Sequence, residues 1–137
     1  MNIPSFPPRF DSDLVRPFYD GLAQGELRIS ACAECGRFHW YPPDVLPCHP
    51  TASLVWRPVS PDGTVYSFTT IERSVLPGGA GANTPYTIVL VEPDEVPGAR
   101  VPALFVASGQ EQPACGMRVT LHPVDAGEYV MAGFKPL

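Results

Sequence analysis

Prolines and glycines punctuate almost the whole chain, 18 and 12 of them in 137 residues, and they restrict it to short elements. Proline removes a backbone donor and clashes inside a helix, while glycine weakens one. Long helices are thereby disfavoured, and short strands joined by turns are expected. In a chain poor in apolar residues the same content would mean disorder. Here 45% of residues are hydrophobic and 17% charged, so a core can form without disulfides.

The segment RPFYDGLAQG, residues 16–25, reads as a short helix. Pro17 suits a first helical turn, Phe18 and Leu22 share a face, and Gly25 suits the C-terminal cap. Residues 1–16, with Pro4, Pro7 and Pro8, read as an extended segment, either draped over a surface or partner or loosely ordered. Residues 26–53 form an arm whose strand-like pieces flank a Cys-x-x-Cys-Gly turn. This arm needs a metal, a partner or the rest of the chain to order it. From residue 54 alternating strands are expected at LVWRPV, GTVYSFTTIERSV, PYTIVLVEP, VPALFVAS, RVTLHPV and YVMAGF. That set suggests a closed or nearly closed barrel. Its aromatics Trp56, Tyr66, Phe68, Tyr86 and Phe105 fit core packing or an apolar contact. The divisions are thus 1–25, 26–53 and 54–137.

The arm holds three of the four cysteines. Cys32 and Cys35 can bind one metal from a tight turn, with Gly36 allowing the positive φ that such turns use. Cys48 follows 13 residues after Cys35. A complete ribbon would place a fourth cysteine at position 51, which is Thr51, and Pro50 removes an N–H that could have faced a sulfur. Three readings stand. Zinc sits on Cys32, Cys35 and Cys48 with His49, His39 or water as fourth ligand; the site is a metal-free remnant; or the CxxC is a redox pair, for which the usual βαβ context is missing. Cys115 reads as a structural thiol, and His39 and His122 as ordinary strand residues. The cluster Phe38, Trp40 and Tyr41, with Val45 and Leu46, is too apolar for so small an element to bury entirely, and marks a partner-binding surface.

Other chemistry lacks its residues. No serine elbow, HExxH or paired-carboxylate pattern is present, so no catalytic residue is assigned. The stretch LPGGAGANTP, 76–85, lacks the ending of a phosphate loop, and reads as a surface loop or one that orders on CoA or a partner. With a net charge of −5 and one lysine, Lys135, the chain has no basic surface for nucleic acid. The N-terminus lacks a charged and apolar leader, and no apolar run is long enough to span a membrane. A cytoplasmic location is expected.

The pieces FYDGLAQGELRISACAECGRFHWYPP, the Pro-Cys at 47–48, GTVYSFT, PYTIVLVE and CGMRV resemble, in order and spacing, the acyl-CoA-associated OB-fold family with an N-terminal rubredoxin-like zinc ribbon, domain of unknown function 35. The resemblance runs from residue 18 to about residue 134. It implies a mainly β chain with a short N-terminal helix, a zinc-ribbon-like arm and a C-terminal five-stranded OB-fold barrel. It implies ribbon ligands at Cys32, Cys35 and Cys48, with the fourth position falling on Thr51. It further implies a non-catalytic accessory subunit of a thiolase-like enzyme (thiolase, acyltransferase or steroid side-chain aldolase) with a CoA ester bound in the complex. A heterotetramer around a thiolase dimer is the expected assembly. A MaoC-like enoyl-CoA hydratase is the alternative partner, and a nucleic-acid-binding OB module the remaining reading.

Overall fold

The computed structural model describes residues 8–73 and 84–137. The expectations for Pro4, Pro7 and most of the 76–85 loop therefore lie outside the described residues. Helix α1 spans Arg16–Ala23, with proline in its first turn and Phe18, Gly21 and Leu22 buried. Its end is a Schellman turn. Gly25 takes φ 76°, its N–H donates to the Leu22 carbonyl, and the Glu26 N–H donates to the Gly21 carbonyl. Two turns of helix are not stable alone; α1 is held by its buried face.

Strand β1, Leu27–Cys32, is buried along nearly its whole length. It pairs antiparallel with β2, Leu54–Val59, from Leu27 opposite Val59 to Cys32 opposite Leu54. This corrects the expectation that LVWRPV is a barrel strand. β2 forms a separate two-stranded sheet with β1, outside the barrel, and Trp56 lies on that sheet. On the other edge of β1 the chain returns at residues 37–39. Phe38 bridges to Ala31, the Cys32 N–H donates to the Arg37 carbonyl, and the His39 N–H donates to the Ser30 carbonyl.

The barrel is closed and five-stranded. Its strands are β3 (Asp62–Ile71), β4 (Tyr86–Pro93), β5 (Val101–Phe105), β6 (Arg118–Leu121) and β9 (Gly133–Pro136), in the order β3-β4-β5-β9-β6. β5 and β9 run parallel and the other neighbours antiparallel. A small ribbon of β7 (Val124–Asp125) and β8 (Val130–Met131) leads into β9. Among the described residues, a mainly β chain with one short helix, a ribbon arm and a five-stranded barrel is thus the observed fold.

β3 pairs with both β4 and β6, and it carries a bulge. The register with β4 slips between Val65 and Ser67, leaving Tyr66 as the extra residue. Bulges bend and twist a strand in this way. Tyr66 is 56% exposed, with Arg100 3.8 Å over its ring. Phe68 lies opposite Val89 but is also exposed. Core packing therefore does not explain these two aromatics, although it does explain Phe105. Val65, Val89, Val91, Val101, Val119 and Phe134 fill the barrel and join Phe18, Leu22, Leu27 and Ile29 in one cluster. Helix, arm sheet and barrel share a single core. Among the described residues no helix is long and apolar enough to cross a membrane.

Candidate metal centre

Two loops of the arm converge on four donor atoms. Cys32 ends β1, and the turn after it is closed by the Gly36 N–H donating to the Cys32 carbonyl at 2.8 Å. Gly36 adopts φ 75° there, the left-handed conformation that favours glycine. Cys35 projects from this turn. Cys48 and His49 come from the second loop, which the Ala52 N–H closes on the His49 carbonyl.

The donor atoms of Cys32, Cys35, Cys48 and His49 all lie within 4.8 Å of one another. Cys35 Sγ is 3.7 Å from Cys48 Sγ, and His49 Nδ1 is 3.6 Å from Cys32 Sγ. Zinc bonds of about 2.3 Å to sulfur and about 2.0–2.1 Å to nitrogen, at tetrahedral angles, give donor separations of about 3.5–3.8 Å. The residues therefore fit a zinc ion, with three sulfurs and one nitrogen. His49 stands in the cluster, and Thr51, where a ribbon's fourth cysteine falls, does not. His39 is close by, its Nε2 3.2 Å from Cys48 Sγ, but it lies outside the group of four.

The thiols are electrostatically unequal. Burial pushes the Cys32 thiol up, but the N–H groups of Cys35 and Glu34 and the thiols of Cys48 and Cys35 outweigh it and bring Cys32 down to about 7. Cys48 is pushed up to about 11 by burial, by its hydrogen bonds with the Cys35 and Cys32 thiols and by their charge. Metal uptake must displace the remaining protons, because a thiolate is the ligand. None of the four cysteines is in a disulfide, and Cys115 is exposed, outside the cluster.

The apolar residues of the arm divide. Leu46 is buried. Phe38 is half-buried beneath Arg57, whose guanidinium lies 5.0 Å from the ring centroid. Trp40 is half-buried, 5.4 Å from Phe18, and donates from Nε1 to the Arg100 carbonyl at 3.0 Å. It thus ties the arm to the barrel. Tyr41 and Val45 are 62% and 61% exposed. Tyr41 also lines an apolar cleft of about 310 Å³, together with Phe18, Trp40, Trp56, Ile88, Tyr129 and Met131, among others. Tyr19 on its wall is pushed up to about 12 by burial and by Tyr41 and Tyr129 nearby. Sequence reasoning missed this cleft, since its walls come from six separate parts of the chain.

A β-ribbon cysteine cluster in front of a closed five-stranded barrel defines a zinc-ribbon and OB-fold protein. The description "ChsH2, rubredoxin-like zinc ribbon domain" matches residues 20–51, and "ChsH2, C-terminal OB-fold domain" matches residues 56–122. The chain belongs to this ChsH2-type, DUF35 family. Among solved structures, a chain of the "Ltp2-ChsH2(DUF35) aldolase" is similar over 95% of this chain and 98% of its own, at 24% identity and a TM-score of 0.78. A DUF35 protein of unknown function from Sulfolobus solfataricus is similar over 92% and 87%, at 16% identity and a TM-score of 0.59. At these identities the likeness carries the fold. No curated protein matches the chain.

Proposed function

We propose that this chain is a non-catalytic accessory subunit of a thiolase-like acyl-CoA enzyme, completing or stabilising the site at which the CoA ester is held. The observation that carries the reading is the match of ribbon and barrel, in the same order, to ChsH2-type domains, with a solved relative from an aldolase complex. Residues 1–25 act as a leading segment, 26–53 as the ribbon arm and 54–137 as the OB unit, with β2 lending the strand that locks arm to barrel. Zinc on Cys32, Cys35, Cys48 and His49 is structural, since four protein donors leave no open position for substrate. The proposed assembly is a heterotetramer around a thiolase-like dimer, in the cytoplasm.

Partner contact is assigned to the face around Phe38, Trp40 and Tyr41. Tyr41 is its exposed aromatic, and aromatic anchors commonly dominate binding. The test is tagged capture from the native host, followed by retro-aldol and thiolysis assays of the recovered complex and of the isolated chain. Turnover by the complex alone is expected. Tyr41→Ala should weaken capture at least about tenfold, or about 1.4 kcal/mol, with unchanged circular dichroism. Robust turnover by the isolated chain, or capture of a hydratase instead, defeats the reading.

A further inference from the structure

The two knuckles of the ribbon are built differently. In the first, the Cys32 thiol accepts hydrogen bonds from the backbone N–H groups of Glu34 and Cys35. Such donors spread the negative charge of a metal-bound thiolate and hold it in place. In the second knuckle, the residue two places after Cys48 is Pro50, which has no N–H to give. The backbone donor that Glu34 supplies to Cys32 has no counterpart at Cys48.

A side chain stands where that donor is missing. His39 Nε2 lies 3.2 Å from Cys48 Sγ. The backbone of His39 is held twice by one residue. Its N–H donates to the Ser30 carbonyl at 2.8 Å, and its carbonyl accepts from the Ser30 hydroxyl. Ser30 is fully buried on β1, the strand that also carries Cys32. Phe38, the preceding residue, bridges to Ala31 of that strand. The imidazole is therefore set by the scaffold of the first knuckle, while it reaches the sulfur of the second.

We propose that His39 is a positioning residue whose Nε2–H donates to the Cys48 thiolate, replacing the N–H that Pro50 removes. The inference rests on the reading of Cys32, Cys35, Cys48 and His49 as a metal site. It assigns His39 the Nε2–H tautomer and keeps it out of the ligand set. It also joins the two knuckles, so that Cys48 is ordered before metal arrives.

The experiment uses the full chain loaded with Co(II). His39→Leu removes the donor, and His39→Gln keeps an N–H at similar reach. His39→Leu should retain the intense d–d bands of a tetrahedral site. Its sulfur-to-cobalt charge-transfer band should move to lower energy, since the thiolate loses a stabilising donor. Metal transfer to a chelator should be about 10–100-fold easier, the usual effect of an outer-shell partner. His39→Gln should restore both readouts towards wild type. His49→Ala should instead weaken the d–d bands, because it removes a ligand. The unmutated protein gives a second measurement. Histidine ¹⁵N spectra of the Cd(II) form should show His39 as the Nε2–H tautomer, with metal coupling at His49 alone. An unchanged His39→Leu protein, or His39 as the Nδ1–H tautomer, overturns the proposal and leaves the metal site standing. Loss of d–d intensity in His39→Leu matching that of His49→Ala makes His39 a ligand and overturns it too. A wild-type chain that takes up no Co(II) sinks the metal reading, and this inference with it.

Discussion

In the barrel, Val65, Val89, Val91, Val101, Val119 and Phe134 converge from all five strands and are almost wholly removed from water. In the arm between residues 33 and 53, only Pro42 and Leu46 are buried. The barrel is stabilised by apolar area, which contributes about 1.5–3 kcal/mol for each large side chain buried. The arm loops have little of this and depend on four converging donors, a handful of backbone hydrogen bonds and the Trp40 tie to Arg100. β1 lies between the two regimes. It carries the Cys32 thiol of the donor cluster at its end, yet its side chains belong to the common core. The contrast teaches that metal loss should open the loops of the arm without releasing its first strand.

The largest expected effect is in the barrel. Phe134→Ala should cost about 3–5 kcal/mol, as for other fully buried aromatics, and lower the denaturant midpoint of the whole chain. A cost below about 1 kcal/mol would show that the barrel interior is not the main source of stability. Trp40→Ala should come next, at about 2 kcal/mol. Its ring is only half-buried, but the variant also strands the Arg100 carbonyl. Denaturant melts of both variants place them on one scale, and equal costs would erase the distinction between barrel and arm.

Cys48→Ser, or chelation of the wild type, should move the global midpoint little. Amide exchange between residues 33 and 53 should nevertheless become fast, while β4 and β5 keep their protection. Barrel amides exchanging in step with those loops would mean that the two regions open together.

The smallest effect is electrostatic and lies on the barrel surface. Arg118 grips Asp94 through two contacts of 2.6 Å, and this holds the Asp94 carboxyl below its usual value. The Gly98 N–H and Arg100 do the same for Glu92. A carboxylate with a lowered folded pKa contributes stability above its unfolded value, near about 4, and loses that contribution as pH falls through the folded value. Both pairs are substantially exposed, so the loss is small. Between about pH 5 and about pH 3, Asp94→Asn should show a shallower fall in melting temperature than wild type. Parallel slopes would remove Asp94 from the account.

Much of this was legible along the chain because it is local. Pro17, the Phe18–Leu22 pairing and Gly25 specify α1 within ten residues, and the Cys-x-x-Cys-Gly turn specifies the first knuckle. The stretches around GTVYSFT and PYTIVLVE read as strands because their composition suits a covered pleated surface. The dependence of the arm on something outside itself also followed from its few aliphatic residues. The resemblance carried by the ordered pieces supplied the OB-fold and the ribbon.

Tertiary structure decided what depends on pairing between distant segments. LVWRPV reads as a strand, but nothing in it says that its partner is β1 and not β3; hydrogen bonds across a sheet carry no sequence label. The bulge at Tyr66 changes which face the following residues share with β4, and such a phase shift is invisible to a simple alternation. His49 and His39 were both open as the fourth ligand, since spacing alone does not aim an imidazole. The geometry puts His49 Nδ1 among the sulfurs and His39 beside one of them. The reason is general: local conformation is encoded over a few residues, whereas the meeting of side chains across loops depends on how the whole chain closes.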